Sequence, residues 1–102
     1  MIVDETKPQE VKNKVLLITT DGCRACEIMI KLIQEAIAGY KHPVSLIVKD
    51  IKDVNKDFLK RKRINDFPTM FLSKDDIIMF KYEGTAPAVV ILQWMKVYFN
   101  KR

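Results

Sequence analysis

Cysteine is scarce in this chain: there are two, Cys23 and Cys26, in 102 residues. A secreted scaffold built on disulfides needs more of them at longer separations, so that class is excluded. The one histidine, His42, follows a helix and precedes Pro43 and so reads as a surface turn residue, which leaves the cysteine pair without a third and fourth ligand for a closed zinc site within one chain. No apolar run approaches the ~18 residues of a membrane span. The opening Met1-Ile2-Val3-Asp4-Glu5-Thr6-Lys7-Pro8 has neither the basic start nor the apolar stretch of a secretory signal. Repeats and low-complexity tracts are missing too, which removes coiled coils and solenoids. A close cysteine pair without an export signal is expected to work in a reducing compartment, the cytoplasm.

What is present is the material of one α/β domain. Hydrophobic residues make up 48% of the chain, which excludes disorder by composition. The net charge of +5 is mildly basic and fits an acidic partner or simple solubility. Residues 1–13 read as an N-terminal arm, with a short strand at Ile2-Val3, and residues 14–102 as a single domain. Residues 14–20 form a β-branched and aliphatic run expected of a central strand buried on both faces. Asp21-Gly22 breaks it. From Cys26, apolar Met29, Ile30, Ile33, Ala36 and Ile37 recur at helical spacing, and Gly39 is placed at C′ as the stop.

After the turn at His42-Pro43, residues 44–48 make a second strand. A short helix follows, capped by Asp53 or Asn55, with Val54, Phe58 and Leu59 inward. It ends in Lys60-Arg61-Lys62-Arg63, cations that suit the negative end of a helix dipole. Two strands around Lys74-Asp75-Asp76 form a hairpin. A last helix starts at Thr85 as cap, with Pro87 in its first turn, and runs to about Phe99.

The cysteines sit where a buried strand turns into a helix, the end of an open sheet where function concentrates. Cys23, beside Gly22 at the helix start, faces unpaired backbone N–H groups and the positive end of the dipole. Both favour the thiolate, and Arg24 adds a cation. Cys26 falls one turn on, on the apolar stripe. The exposed thiol would attack a disulfide and the buried one would resolve the mixed disulfide. Inert core cysteines are the competing reading; it suits Cys26 but not Cys23.

The Cys23-Arg24-Ala25-Cys26 pair after the first core strand, the element order that follows, and Phe67-Pro68-Thr69 opening the next strand together resemble the thioredoxin-like superfamily over residues 14–99. The resemblance implies a thioredoxin-like fold, β-α-β-α-β-β-α with a central mixed four-stranded sheet flanked by helices. It implies a thiol–disulfide oxidoreductase with Cys23 and Cys26 catalytic, Phe67 and a cis Pro68 binding substrate beside them, and Gly22 and Arg24 modulating the pair. Protein disulfides would be its substrates and an upstream reductase its electron source, with the chain acting as a monomer.

Two departures stand out. The buried acid that thioredoxins place six positions before the first cysteine is Leu17 here, so the usual proton acceptor for the resolving thiol is missing and slower turnover is expected. Of the glutathione-binding segment of glutaredoxins only Gly84 matches, so no cofactor beyond the redox-active disulfide is expected, with glutathione the weaker alternative, and no metal.

Rival readings are a soft-metal (copper or zinc) carrier, a non-catalytic adaptor of the same fold, and a cluster-bridged dimer. A chain order ending in a helix argues against the first, and the intact cysteine pair against the second. Lys60-Arg61-Lys62-Arg63 lacks the interleaved aromatics of a nucleic-acid site and reads as a solvated helix end. Trp94, Met95 and Tyr98 at helical spacing read as core.

Overall fold

The computed structural model describes residues 11–100. Four strands and three helices alternate as β1 (Asn13–Thr19), α1 (Arg24–Ala38), β2 (Val44–Asp50), α2 (Lys56–Arg61), β3 (Thr69–Lys74), β4 (Ile77–Glu83) and α3 (Ala88–Tyr98), with a 3-10 turn at Ile51–Asp53 ahead of α2. The expected order β-α-β-α-β-β-α is the observed one. The strand expected at Ile2-Val3 lies outside the described residues.

The sheet order is β2-β1-β3-β4. β1 runs parallel to β2, with Thr19 opposite Asp50, and antiparallel to β3, with Ile18 opposite Thr69. β3 and β4 form the hairpin, with Thr69 opposite Glu83. Its two-residue turn, Asp75-Asp76, has both φ angles positive, at 53° and 65°. That is the twist-matching geometry of tight hairpins, and aspartate tolerates it better than bulkier residues.

The pleat divides the core. Val15, Leu17, Met70 and Leu72 face Met29, Ile33 and Ala36 of α1 and Ile91, Met95 and Phe99 beyond them, all buried. On the opposite face Ile18 and Phe71 are buried, and the Phe58 ring of α2 meets Phe71 edge-on with centroids 5.5 Å apart. Leu16 on that face is only half-buried. The expectation of a β1 buried on both faces therefore holds in part: α2, at six residues, is too short to cover the sheet. Trp94 and Tyr98 pack as core-rim aromatics on Phe80, at 4.9 and 4.7 Å.

Two helix termini differ from expectation. Gly39 caps α1 in a right-handed conformation, φ −89°, and not as a left-handed C′ residue. A Cβ there would lie 3.4 Å from Leu92 Cδ2 of α3, an ordinary van der Waals contact, so neither backbone conformation nor space demands glycine at this cap. At α3 the cap position is Pro87, with no side-chain capping bond, and not Thr85. Thr85 lies in the connection, where its carbonyl accepts the Tyr82 hydroxyl at 3.0 Å. Asn55, one of the two expected caps, does cap α2, its Oδ1 accepting the Asp57 N–H at 2.7 Å.

Candidate active site

The register places the carboxyl ends of β1, β2 and β4 and the amino end of β3 at one edge of the sheet. The β1–α1 connection, with Cys23, and the chain entering β3, with Phe67 and Pro68, both lie at that edge. Gly22, with φ +66°, turns the chain from β1 into α1; a Cβ there would meet nothing within 4 Å, so backbone conformation and not space selects glycine.

Cys23 is the N-cap of α1, and its Sγ accepts the Cys26 N–H at 3.1 Å. The Cys23 carbonyl takes further N–H bonds from Cys26 and Glu27, at 3.2 and 3.4 Å. A disulfide joins Cys23 to Cys26 across this first turn, with the Cα atoms 5.2 Å apart. Its two halves are unlike: Cys23 is partly exposed, whereas Cys26 is 3% exposed.

The Phe67–Pro68 peptide bond is cis. Pro68 is buried, and its carbonyl accepts the Gly84 N–H at 2.8 Å. The Thr69 hydroxyl, the buried polar side chain of the core, donates to the Asp66 carbonyl at 2.6 Å. Phe67 is half-buried and makes no backbone hydrogen bond among the described residues. By register Pro68 falls opposite Thr19, at the same sheet edge as the cysteine loop.

The charges around Cys23 include one pair that sequence reading missed. Lys52, in the 3-10 turn after β2, reaches Asp21 at 3.5 Å, and its backbone N–H bonds Asp50 Oδ1 at 2.9 Å. Asp21, and after it Asp50, raise the Lys52 ammonium above the usual lysine range. The only local signal was the Asp50-Ile51-Lys52 turn pattern; the partner lies 31 residues away. Arg24 opens α1, exposed and without an ion-pair partner among the described residues. Leu17 is fully buried, and the buried described residues include no ionisable side chain apart from Cys26 itself. No group of three His, Cys, Asp or Glu among the described residues could hold a metal ion. His42 is an exposed turn residue edge-on to Tyr40.

A half-exposed disulfide at the start of the helix that follows the central strand, on a four-stranded mixed sheet with helices on both faces, is the layout of thioredoxin-fold redox proteins. The family model for thioredoxin matches residues 3–97, and the chain belongs to the thioredoxin family. No curated protein matches the sequence. Solved structures show the same fold at low identity. Thioredoxin-2 of the malaria parasite aligns at TM-score 0.71 and 16% identity over 84% of this chain and 82% of its own. A thioredoxin-like protein from Clostridium perfringens aligns at 0.74 and 15% over 85% and 71%. Mitochondrial thioredoxin 3 from Saccharomyces cerevisiae aligns at 0.68 and 20% over 86% and 80%.

Proposed function

We propose that the protein is a thiol–disulfide oxidoreductase acting on protein disulfides, with Cys23 as nucleophile and Cys26 as resolving thiol. The observation that carries this reading is the asymmetry of the pair: Cys23 caps α1 with its Sγ accepting an N–H, partly exposed, while Cys26 is buried. Backbone N–H groups and the helix dipole stabilise a thiolate at the cap, and the thiolate is the nucleophile.

In the reduced protein the Cys23 thiolate attacks one sulfur of the substrate disulfide. A Cys23–substrate disulfide forms and the other substrate sulfur leaves as a thiolate. Cys26, deprotonated, then attacks Cys23 Sγ, which closes the Cys23–Cys26 disulfide and releases the second substrate thiolate. Two electrons pass to the substrate, and the two protons end on its thiols. A reductase upstream returns the pair to the dithiol.

Substrate binding falls to Phe67 and Pro68. The N–H and carbonyl of Phe67, without a hydrogen-bond partner among the described residues, can pair with an extended segment, as in strand addition, which reads main chain and so admits several protein substrates. Gly22 sets the turn that presents Cys23, and Arg24 adds a cation beside it. The proposed setting is a cytoplasmic monomer.

The test is trapping. With Cys26→Ser, insulin should accumulate as a one-to-one mixed disulfide through Cys23; with Cys23→Ser, no adduct should form. Stoichiometric retention of copper or zinc by the reduced chain, with no insulin reduction, would instead support the carrier reading.

A further inference from the structure

The segment ahead of Pro68 is anchored by a side chain from the far edge of the sheet. Lys81 lies on β4, opposite Phe71. Its ammonium donates to the carbonyls of Lys62 and Arg63, at 2.7 and 2.8 Å, and pairs with Glu83 Oε2 at 3.0 Å. An ammonium has three donors, and all three are used.

The two carbonyls belong to the end of α2, where a helix leaves C=O groups without partners. That end is unusual. Arg63 N–H bonds the Lys60 carbonyl and Ile64 N–H bonds the Leu59 carbonyl, both at 3.2 Å, with Arg63 at φ +53°. This is a Schellman termination with an arginine at the C′ position that glycine normally takes. A cation on the carbonyls of Lys62 and Arg63 favours the turn that the Arg63 Cβ opposes.

The exit of the same segment is held from the same strand end. Gly84 N–H bonds the Pro68 carbonyl at 2.8 Å, and Thr69 holds the Asp66 carbonyl. Residues 64–67 therefore span two anchors, one at Lys81 and one at Gly84. Between them Phe67 makes no backbone hydrogen bond among the described residues.

We infer that Lys81 is a positioning residue for protein-substrate binding: it caps α2 and so fixes where the Phe67 main chain meets an incoming segment. Glu83 orients the ammonium. The inference rests on the proposed role of Phe67 in pairing with substrate, since Lys81 itself is not placed at the sulfurs. A substrate too small to pair with main chain does not sense it.

The experiment compares wild type with Lys81→Met and Lys81→Arg, using insulin as the protein disulfide and 5,5′-dithiobis(2-nitrobenzoate) as the small one. Lys81→Met should raise KM for insulin about fivefold or more, with kcat for insulin and the small-disulfide rate within twofold of wild type. Lys81→Arg, which keeps a charged donor, should restore KM to within twofold. Amide hydrogen exchange read at Arg63 and Ile64 in the folded variants should rise in Lys81→Met and return in Lys81→Arg.

An unchanged insulin KM in Lys81→Met overturns the inference, as does an equal fall in both disulfide assays. Unchanged exchange at Arg63 and Ile64 overturns it without reference to activity. A wild type that reduces neither disulfide refutes the proposed function instead, and the exchange measurement still decides whether Lys81 holds the loop.

Discussion

Arg63→Gly should make the protein more stable. Arg63 sits at φ +53° as the C′ residue of α2. A residue with a Cβ in the left-handed region costs roughly 1–2 kcal/mol relative to a right-handed one, and glycine avoids that cost. Glycine also gives the unfolded chain more freedom, which takes back ~0.4–1 kcal/mol. The Arg63 side chain is exposed and has no ion pair among the described residues, so its removal forfeits little. The net gain is about 0.5–1 kcal/mol, a rise in Tm of roughly 2–8 °C for a domain of this size. The assay is thermal and urea unfolding of the oxidised protein, with Arg63→Ala as control. Alanine keeps the Cβ, so Arg63→Ala should not share the gain. Equal gains from both variants would mean that the arginine side chain and not the backbone is the source. A loss of stability in Arg63→Gly would refute the reasoning.

Gly22→Ala imposes a Cβ on φ +66° in open space, so it should cost ~1 kcal/mol in urea unfolding; wild-type stability would show that the turn adopts another conformation. Arg24→Glu replaces a cation beside the proposed nucleophile with an anion, so the thiolate absorbance of the reduced protein should titrate at higher pH and exchange at pH 7 should slow; an unmoved titration would place the Arg24 charge away from Sγ. Cys26 is buried with no ionisable neighbour among the buried residues, and a thiol in apolar surroundings gives up its proton reluctantly. Release of the second substrate thiol in single-turnover assays should therefore speed up as pH rises from 6 to 8, and a flat profile would point to a proton acceptor near Cys26.

The parts of the molecule that were legible in the sequence are those encoded locally. The aliphatic run of β1, the stripe from Cys26 to Ile37 and the aspartate pair of the hairpin each carry their own periodicity or turn chemistry, and each sits where that chemistry placed it, while the cis Pro68 came from the resemblance. Cys23 at the helix start follows from the Asp21-Gly22 break and the helical spacing that begins at Cys26. The misreadings come from competition between local signals. Thr85 is a good capping residue, yet Pro87 holds a ψ of 150°, outside the helical range, and the helix starts at Ala88. A glycine after a helix commonly takes the left-handed C′ conformation, whereas Gly39 stays right-handed at φ −89°. The interactions that no local pattern reveals join distant elements: Lys52 to Asp21, and Lys81 to the carbonyls of Lys62 and Arg63. Lysines at such positions look like ordinary surface charge until the fold brings their acceptors within reach.

The central claim is the division of labour within the cysteine pair, and the most direct measurement is the alkylation rate of each thiol in the fully reduced protein. Iodoacetamide at pH 7, quenched over time and mapped by peptide mass, reads Cys23 and Cys26 separately. Cys23, at the α1 cap and partly exposed, should be alkylated at least tenfold faster than Cys26. Equal rates, or a faster Cys26, would contradict it.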